Sequence, residues 1–382
     1  MRFDWPPETR ERIAAARRFA EATLRSRRRE PGLDRAAWRA AAEFGLFGQA
    51  MCALPGGARN ASALDSAACF EALGRGGGDR GLLFAMAAHL FGCVAPFATY
   101  ATDAQAAAWE AKLRDGRAVG ALAVTEPDGG STLERMRSEA VPVAGGYRIS
   151  GEKTLVANAT AADLFIVLAR KSGVAGALGL GAFIVPAASN GVFVAPLAAS
   201  GLPGAALGTV TFDGCFVPDA AVLGRVGAGL RVFATAMQWE RSCLLAGFLG
   251  AAERDLAACR AWLAERQDGG GPLLRHQALS HRLARAALAL DSARLVLYRA
   301  AWLIDQGQAD RAAAAMAKLA ASEAVAAAAE DVVRLTAGAG WRGAAGEPAA
   351  ALSDALGALF ASGSNEMMLE LLARHLPEGD AR

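Results

Sequence analysis

Val124-Thr125-Glu126-Pro127-Asp128-Gly129-Gly130-Ser131 is the stretch that partitions this chain of 382 residues. It reads as a strand end running into a tight turn, with a proline and two adjacent glycines to make the bend. On its N-terminal side, Pro7 to about Gly116 is rich in Ala, Leu and Arg, with apolar positions at helical spacing. Breaks at Pro31-Gly32, Pro55-Gly56-Gly57 and Gly74-Arg75-Gly76-Gly77-Gly78 cut that region into several helices. Between Ala121 and Pro218 the texture is β-prone. The runs there are Glu139-Ala140-Val141-Pro142-Val143, Leu164-Phe165-Ile166-Val167-Leu168, Phe183-Ile184-Val185, Val192-Phe193-Val194 and Thr209-Val210-Thr211-Phe212. Glycine turns such as Ala144-Gly145-Gly146 separate them, which predicts a small antiparallel barrel or sandwich. Beyond Gly229, long helices return, roughly Leu230 to Arg266, Leu273 to Gln306, Ala309 to Ala337 and Ala349 to Leu376. The expected fold is mostly α with a central β-domain. Its parts are residues 1–118, 119–226 and 227–382, sharing interfaces.

Composition bounds the function. Forty basic and 38 acidic residues leave a net charge of +2, which gives no general attraction to nucleic acid. The run Arg25-Ser26-Arg27-Arg28-Arg29, just before Pro31-Gly32, reads as cations at a helix C-terminus. The richest apolar run, Ser242 to Ala252, is too short to span a bilayer, and the start Met1-Arg2-Phe3-Asp4-Trp5-Pro6-Pro7 lacks a signal or transit profile. A soluble, cytoplasmic protein with no membrane partner is the expectation. Six cysteines scattered without a CxxC pair read as reduced core thiols, and four histidines without ligand spacing predict no metal site. The Ala-rich stretch Ala312 to Ala329 predicts close helix packing, because Met316, Leu319 and Val325 punctuate it. Gly179-Leu180-Gly181 and the glycines near Gly76 do not sit between a strand and a helix, so they make no dinucleotide fingerprint.

The turn at Val124 to Ser131 has the parts of an anion or flavin cradle. Its glycines let main-chain N–H groups approach a ligand, and Thr125 and Ser131 add hydroxyls. Alone it is an ordinary turn. Three further segments stand in register with it: Gly151-Glu152-Lys153-Thr154-Leu155-Val156-Ala157-Asn158, Trp239-Glu240-Arg241, and Phe360-Ala361-Ser362-Gly363-Ser364-Asn365-Glu366. Together they resemble the acyl-CoA dehydrogenase family, over about Pro7 to His375. The resemblance is most specific at Thr125 to Ser131, Glu240-Arg241 and Gly363 to Glu366.

That resemblance implies an N-terminal helical domain, a β-barrel middle and a C-terminal four-helix bundle. It also implies FAD at a dimer interface, usually within a tetramer. In the family the threonine matching Thr125 hydrogen-bonds the isoalloxazine ring and the serine matching Ser131 a phosphate; Leu122, Val124 and Gly130 join this cofactor set. Gly151, Lys153 and Asn158 keep the family's residues. Leu155 replaces an aromatic beside the flavin, and Ala157 a hydroxyl donor worth roughly 0.5–1.5 kcal/mol. Arg266 and Gln277 match a pair that reaches the FAD pyrophosphate and adenosine of a neighbouring subunit. Between them, Gly269-Gly270-Gly271-Pro272 predicts a more flexible loop. Arg334 to Trp341 resembles a glycine turn against FAD, with Ala337 in place of its first glycine and Gly338 kept; Ser364 and Glu366 also match FAD contacts. Phe212, Val217-Pro218, Leu223-Gly224, Gly227 and Gly229 follow the family's exit into its bundle and are architectural.

The base is the decisive point. Most of the family carries a catalytic glutamate where Ser362 stands. A minority, the isovaleryl and long-chain type, has it just before an arginine on another helix, the position of Glu240. The chain combines an absent base at one place with a carboxylate at the other. The resemblance implies FAD-dependent α,β-dehydrogenation of an acyl thioester, Glu240 taking the α-proton while the β-hydride goes to flavin N5. A general base contributes roughly 10²–10⁴-fold. By the same resemblance the Ser362 backbone N–H is expected to polarise the thioester carbonyl, worth about 2.7–4 kcal/mol for a donor of this kind. The resemblance also implies that Ser131, Arg241, Ala361 and Gly363 line the substrate side, with Ala361, in place of an aromatic, opening the pocket. The implied partners are acyl-CoA or an acyl carrier protein, an electron-transfer flavoprotein, and a second or fourth copy of the chain. Two other readings stay open: a reduced-flavin monooxygenase on the same fold, and a non-catalytic homologue acting as an interaction protein.

Overall fold

The computed structural model describes residues 4–25, 30–48, 62–174, 176–342 and 347–375. Ser26 to Arg29 of the arginine run, Cys52, Pro55-Gly56-Gly57 and Leu376 lie outside them. In chain order come helices α1 (Pro7–Phe19), α2 (Arg35–Glu43), α3 (Ala63–Gly76), α4 (Arg80–Ala87), α5 (Ala95–Tyr100) and α6 (Asp103–Arg114). Strands follow: β1 (Gly120–Ala123), β2 (Glu139–Val143), β3 (Gly146–Val156), β4 (Leu164–Lys171), β5 (Leu180–Pro186), β6 (Val192–Pro196) and β7 (Gly208–Pro218). The chain ends in α7 (Gly229–Cys243), α8 (Ala246–Glu265), α9 (Gln277–Asp305), α10 (Arg311–Trp341), α11 (Pro348–Gly357) and α12 (Asn365–Ala373). A π-helical segment, Ala88–Val94, joins α4 to α5 without a break.

Side-chain caps start several of these helices. Asp34 accepts from the N–H groups of Ala36 and Ala37 at α2, and Asp310 from Ala312 and Ala313 at α10. Thr102 and Gln105 form a reciprocal capping box at α6. Each satisfies donors that the helix itself leaves orphaned.

Two compact units emerge. One comprises Met1–Arg25, Ala63–Arg80 and Arg241–Arg382, and the other Ser26–Ser62 and Gly81–Glu240. In the second, seven strands form one curled sheet in the order β1-β4-β2-β3-β7-β6, with β5 also on β4. The antiparallel expectation holds for β2–β3, β3–β7, β6–β7 and β4–β5, but β1 and β2 both pair with β4 in parallel. β4 is buried along Leu164 to Ala169, which is why it reads as an unbroken apolar run. Phe165, Phe183, Phe212, Ile149 and Val210 fill the core inside the curl.

In the first unit α3 and α8 touch backbone to backbone. A Cβ at Gly74 would overlap the carbonyl oxygen of Gly247, and one at Gly250 that of Glu71. Buried Glu71 then ties α3 to α9, accepting from Arg294 Nε at 2.6 Å and from Tyr298 Oη at 2.5 Å. Ala313, Ala317, Ala321, Ala324 and Ala328 are buried along α10, as close packing requires.

Three helix expectations are corrected. The stretch expected as one helix from Leu230 breaks between Cys243 and Ala246, and the last one breaks between Gly357 and Asn365. Apolar residues run through the first break, whereas Ser362-Gly363-Ser364 marks the second as a turn. Two helical stretches, Arg80–Tyr100 and Arg311–Trp341, are long and apolar enough to cross a membrane, against the expectation that no run was. They lie largely inside the protein, the first buried except at its C-terminal end, Thr99-Tyr100.

Candidate active site

β1 ends at Ala123, and the following turn is pinned from beneath. Glu126 Oε1 accepts from Lys153 Nζ at 2.9 Å and from the Ser138 N–H at 2.8 Å, while Oε2 accepts from the Arg137 N–H at 2.6 Å. Lys153, fully buried, also donates to the Val124 carbonyl at 3.0 Å. Burial pushes the Glu126 carboxyl up, but the bonds from Ser138, Arg137 and Lys153 outweigh it and hold it down at about 2. For Lys153, burial wins and its ammonium is lowered despite Glu126. The sequence signal for this pair is a Glu-Pro turn with a Gly-x-Lys strand downstream. The pair's effect is to fix the turn. The Thr125 carbonyl accepts from the Thr154 N–H at 2.8 Å, and Glu126 and Gly129 exchange main-chain bonds of 3.3 and 3.1 Å. Val124, Thr125, Gly129, Gly130, Leu133 and Met136 line a shallow concavity, and Gly130 and Ser131 are exposed.

The pairing of β3 with β7 is irregular between Lys153 and Val156. Leu155 lies in that interval with φ +54° and 59 % of its surface exposed, next to the residue that bonds Thr125. An apolar face, a hydroxyl and main-chain groups in one small area suit a planar ring with a polar edge, so these residues fit the flavin that the sequence implies. Leu122 and Ala157 are half-buried. Asn158, buried with φ +64°, donates through Nδ2 to the Ala85 carbonyl at 2.8 Å and fixes the end of β3. His89 anchors the start of β1. Its Nδ1 accepts from the Gly120 N–H at 2.9 Å and its Nε2 faces the Leu113 carbonyl at 3.2 Å. Burial lowers it to about 4.

Glu240 projects from α7 onto the π-helical segment. It is only 8 % exposed, and a Cβ placed on Gly92 would overlap its Oε1 and lie 3.3 Å from its Cδ. Trp239 stacks on Phe91 with ring centroids 6.1 Å apart, so residues 91–92 face 239–240 in sequence order. The carboxylate is therefore not turned to solvent, and on the side of residue 92 it meets a glycine.

Arg241 Nε donates to the Ser362 carbonyl at 3.0 Å. Ser362 has φ +55° and Gly363 φ +101°, and Ala361 to Ser364 are half-buried. Lys318 on α10, 1 % exposed, reaches across with Nζ to the Leu359 carbonyl at 2.8 Å and to Asn365 Oδ1 at 2.6 Å. Ser322 Oγ adds a bond of 2.9 Å to the same Asn365 oxygen. Burial, then the neighbouring Arg241, lower Lys318 to about 8, with Glu366 and Glu323 opposing. Ser364 caps α12 through the Met367 N–H, and Glu366 is exposed in its first turn.

The remaining cofactor candidates lie on exposed surface of this unit. Arg266 lies over the Trp262 ring at 5.2 Å, and Arg334 donates to Glu330 at 2.7 Å. Gln277 starts α9, and Gly338 follows Ala337, whose φ +48° and ψ −134° interrupt α10. That is glycine territory, which accounts for the expected glycine at 337. The loop from Arg266 to Gln277 is not loose. Asp268 accepts from the Gly270 N–H at 3.1 Å and Arg275 Nη2 at 3.2 Å and pairs with His276, and Arg266 and Leu273 share a main-chain bond of 2.8 Å.

Comparison with known proteins matches this geometry to one family. Residues 6–117, 121–215 and 227–376 match the N-terminal, middle and C-terminal domain models of acyl-CoA dehydrogenase. The L-prolyl-[peptidyl-carrier protein] dehydrogenase of Pseudomonas fluorescens is 40% identical over 341 residues, 89% of either chain. PigA, solved with FAD and proline, superposes with a TM-score of 0.91 at 31% identity, covering 98% of this chain and 99% of its own. The prolyl acyl carrier protein oxidase AnaB superposes with a TM-score of 0.92 at 28% identity, covering 98% and 100%.

Proposed function

The chain belongs to the acyl-CoA dehydrogenase family, and from that premise we propose that it oxidises an acyl group held as a thioester on a carrier protein, with Glu240 as base. Dehydrogenation across the α,β-bond of an acyl thioester is the activity its relatives support, and FAD is the cofactor. When bound, FAD supplies the acceptor for the β-hydrogen and its electron pair. The observation that carries the rest is Glu240: a buried carboxylate seated over a glycine, in a chain whose other family position for a base is Ser362.

In this reading Glu240 takes the α-proton. The backbone N–H of Ser362 polarises the thioester carbonyl, which makes that proton more acidic. Arg241, by holding the Ser362 carbonyl, fixes the peptide plane that follows. Thr125, Gly130, Ser131 and Leu155 receive the flavin, with Leu122, Val124 and Ala157 behind them. Arg266, Gln277, Arg334, Gly338, Ser364 and Glu366 receive the rest of FAD, which calls for a homodimer or a homotetramer; their exposure supports that assignment for all but half-buried Ser364. A prolyl group is the first acyl candidate, because 40% identity extends over 89% of a prolyl-carrier dehydrogenase. Electrons leave to an electron-transfer flavoprotein or to oxygen.

Two of the relatives named above are a dehydrogenase and an oxidase, which favours this reading over a reduced-flavin monooxygenase or a non-catalytic homologue. The test is anaerobic mixing of the FAD-loaded protein with prolyl-loaded carrier protein. Bleaching of the flavin and loss of two hydrogens from the acyl group, read by mass spectrometry, are expected. Bleaching by butyryl-CoA alone would move the substrate to coenzyme A, and no bleaching by any acyl thioester would overturn the dehydrogenase.

A further inference from the structure

Gly92 breaks a local rule. It sits inside an uninterrupted helical run, Arg80 to Tyr100, where glycine costs about 1 kcal/mol relative to alanine. No turn demands it, since its φ is not among the positive ones. The segment around it is π-helical, a local widening that recurs at functional sites. A residue that weakens its own helix is expected to be compensated elsewhere, and here the compensation is visible. The three atoms nearest to a Cβ at position 92 are Oε1, Cδ and Cγ of Glu240, the last two at 3.3 and 3.8 Å.

The contrast with Gly74 shows what kind of obstruction this is. At Gly74 an added Cβ meets the backbone of α8, which has no freedom to withdraw. At Gly92 it meets only the far end of a flexible side chain, which can rotate away at little energetic cost. Folding therefore does not need glycine at 92. The position of one carboxylate does.

We infer that Gly92 is a positioning residue for the proton transfer: its missing side chain is the space in which the Glu240 carboxylate is held. The inference rests on Glu240 being the base, as proposed above. An alanine at 92 pushes Oε1 out of its seat, and a misplacement of about 1 Å can cost on the order of 10²-fold in rate. Helix propensity moves the other way, because alanine is the better helix former by about 1 kcal/mol. Stability and turnover thus change with opposite sign, which a merely structural glycine would not produce.

The experiment uses the FAD-loaded enzyme with its thioester substrate and four proteins: wild type, Gly92→Ala, Glu240→Asp and the double variant. Gly92→Ala is expected to keep its FAD content and its Tm, or to gain a little, while kcat falls about 10- to 100-fold with KM nearly unchanged. Glu240→Asp withdraws the carboxylate by one methylene, so the alanine no longer collides with it. The double variant should then be no slower than Glu240→Asp alone, a coupling that independent sites do not show. The inference is overturned if Gly92→Ala turns over within about twofold of wild type, if its kcat loss comes with a lowered Tm, or if the two losses simply multiply. Glu240→Gln, run alongside, separates the two claims: full activity in that variant removes the base assignment and this inference with it. A dead Glu240→Gln beside an unimpaired Gly92→Ala removes this inference alone.

Discussion

Glu240 lies against a glycine, and its neighbour's missing side chain gives its carboxylate room. Ser362 has lost the carboxylate usual at its position, yet its turn is held by Arg241 at one carbonyl and by Lys318 at another, with Ser322 and Asn365 closing the network. One region carries a carboxylate, the proposed base, with a glycine against it. The other keeps the backbone geometry and has dispensed with the group. On the proposed reading, in which Glu240 is the base, the carbonyl-polarising amide must still be preserved at Ser362, because that function belongs to the main chain. The different construction of the two regions follows from what each retains.

Perturbing Lys318 tests the second region hardest. Lys318→Met leaves the Leu359 carbonyl and the Asn365 oxygen without their charged donor, and removing a charged partner from a buried site costs about 3 kcal/mol. Denaturant unfolding should record that loss, with kcat reduced as the Ser362 turn relaxes. Unchanged stability would mean the network is ornamental to the turn.

Acid should probe the region around Gly92 through His89, three residues upstream in the same helical run. Its pKa falls from 6.5 in the unfolded chain to about 4 in the fold, so the unfolded state binds more protons between those values. Stability from this group is complete above pH 6.5 and declines as pH drops toward 4, by about 3 kcal/mol in all. Glu126, held at about 2, adds its own loss only below its ordinary 4.5. Melting temperatures between pH 7 and 5 should therefore fall in the wild type and stay flat in His89→Gln.

Ala337→Gly relieves a backbone held at φ +48° and ψ −134°, and is expected to raise stability by about 1–2 kcal/mol. A fall would show that the alanine methyl is packed. The smallest effect belongs to Ser362→Ala, whose turnover should remain within about threefold of wild type, because the proposed role there is played by the peptide N–H. A tenfold loss would give the hydroxyl a part in the chemistry.

Much of this was legible in the sequence, and the gaps have physical causes. Helix, strand and helix textures marked the order of elements, and the turn at Ala144-Gly145 fixed the β2–β3 hairpin. β3 was not among the β-prone runs because Arg148, Ser150 and Glu152 give it a polar surface and Lys153 adds a charge, though Ile149 and Lys153 are buried. The turn after β1 was recognised, but not the Glu126–Lys153 pair beneath it, since a buried ion pair looks like any two charges until the strands are placed. Lys318 reads as a solvated helix residue; its acceptors are a backbone carbonyl and an amide beyond the next helix. Gly92 reads as a flaw in a helix, and only the fold reveals the carboxylate that occupies its space.

The most direct measurement of the central claim is the rate of anaerobic flavin bleaching by the acyl-thioester substrate in Glu240→Gln, with FAD content and Tm matched to wild type. The account predicts a rate lower by roughly 10²–10⁴-fold with substrate still bound. Bleaching at the wild-type rate would contradict it.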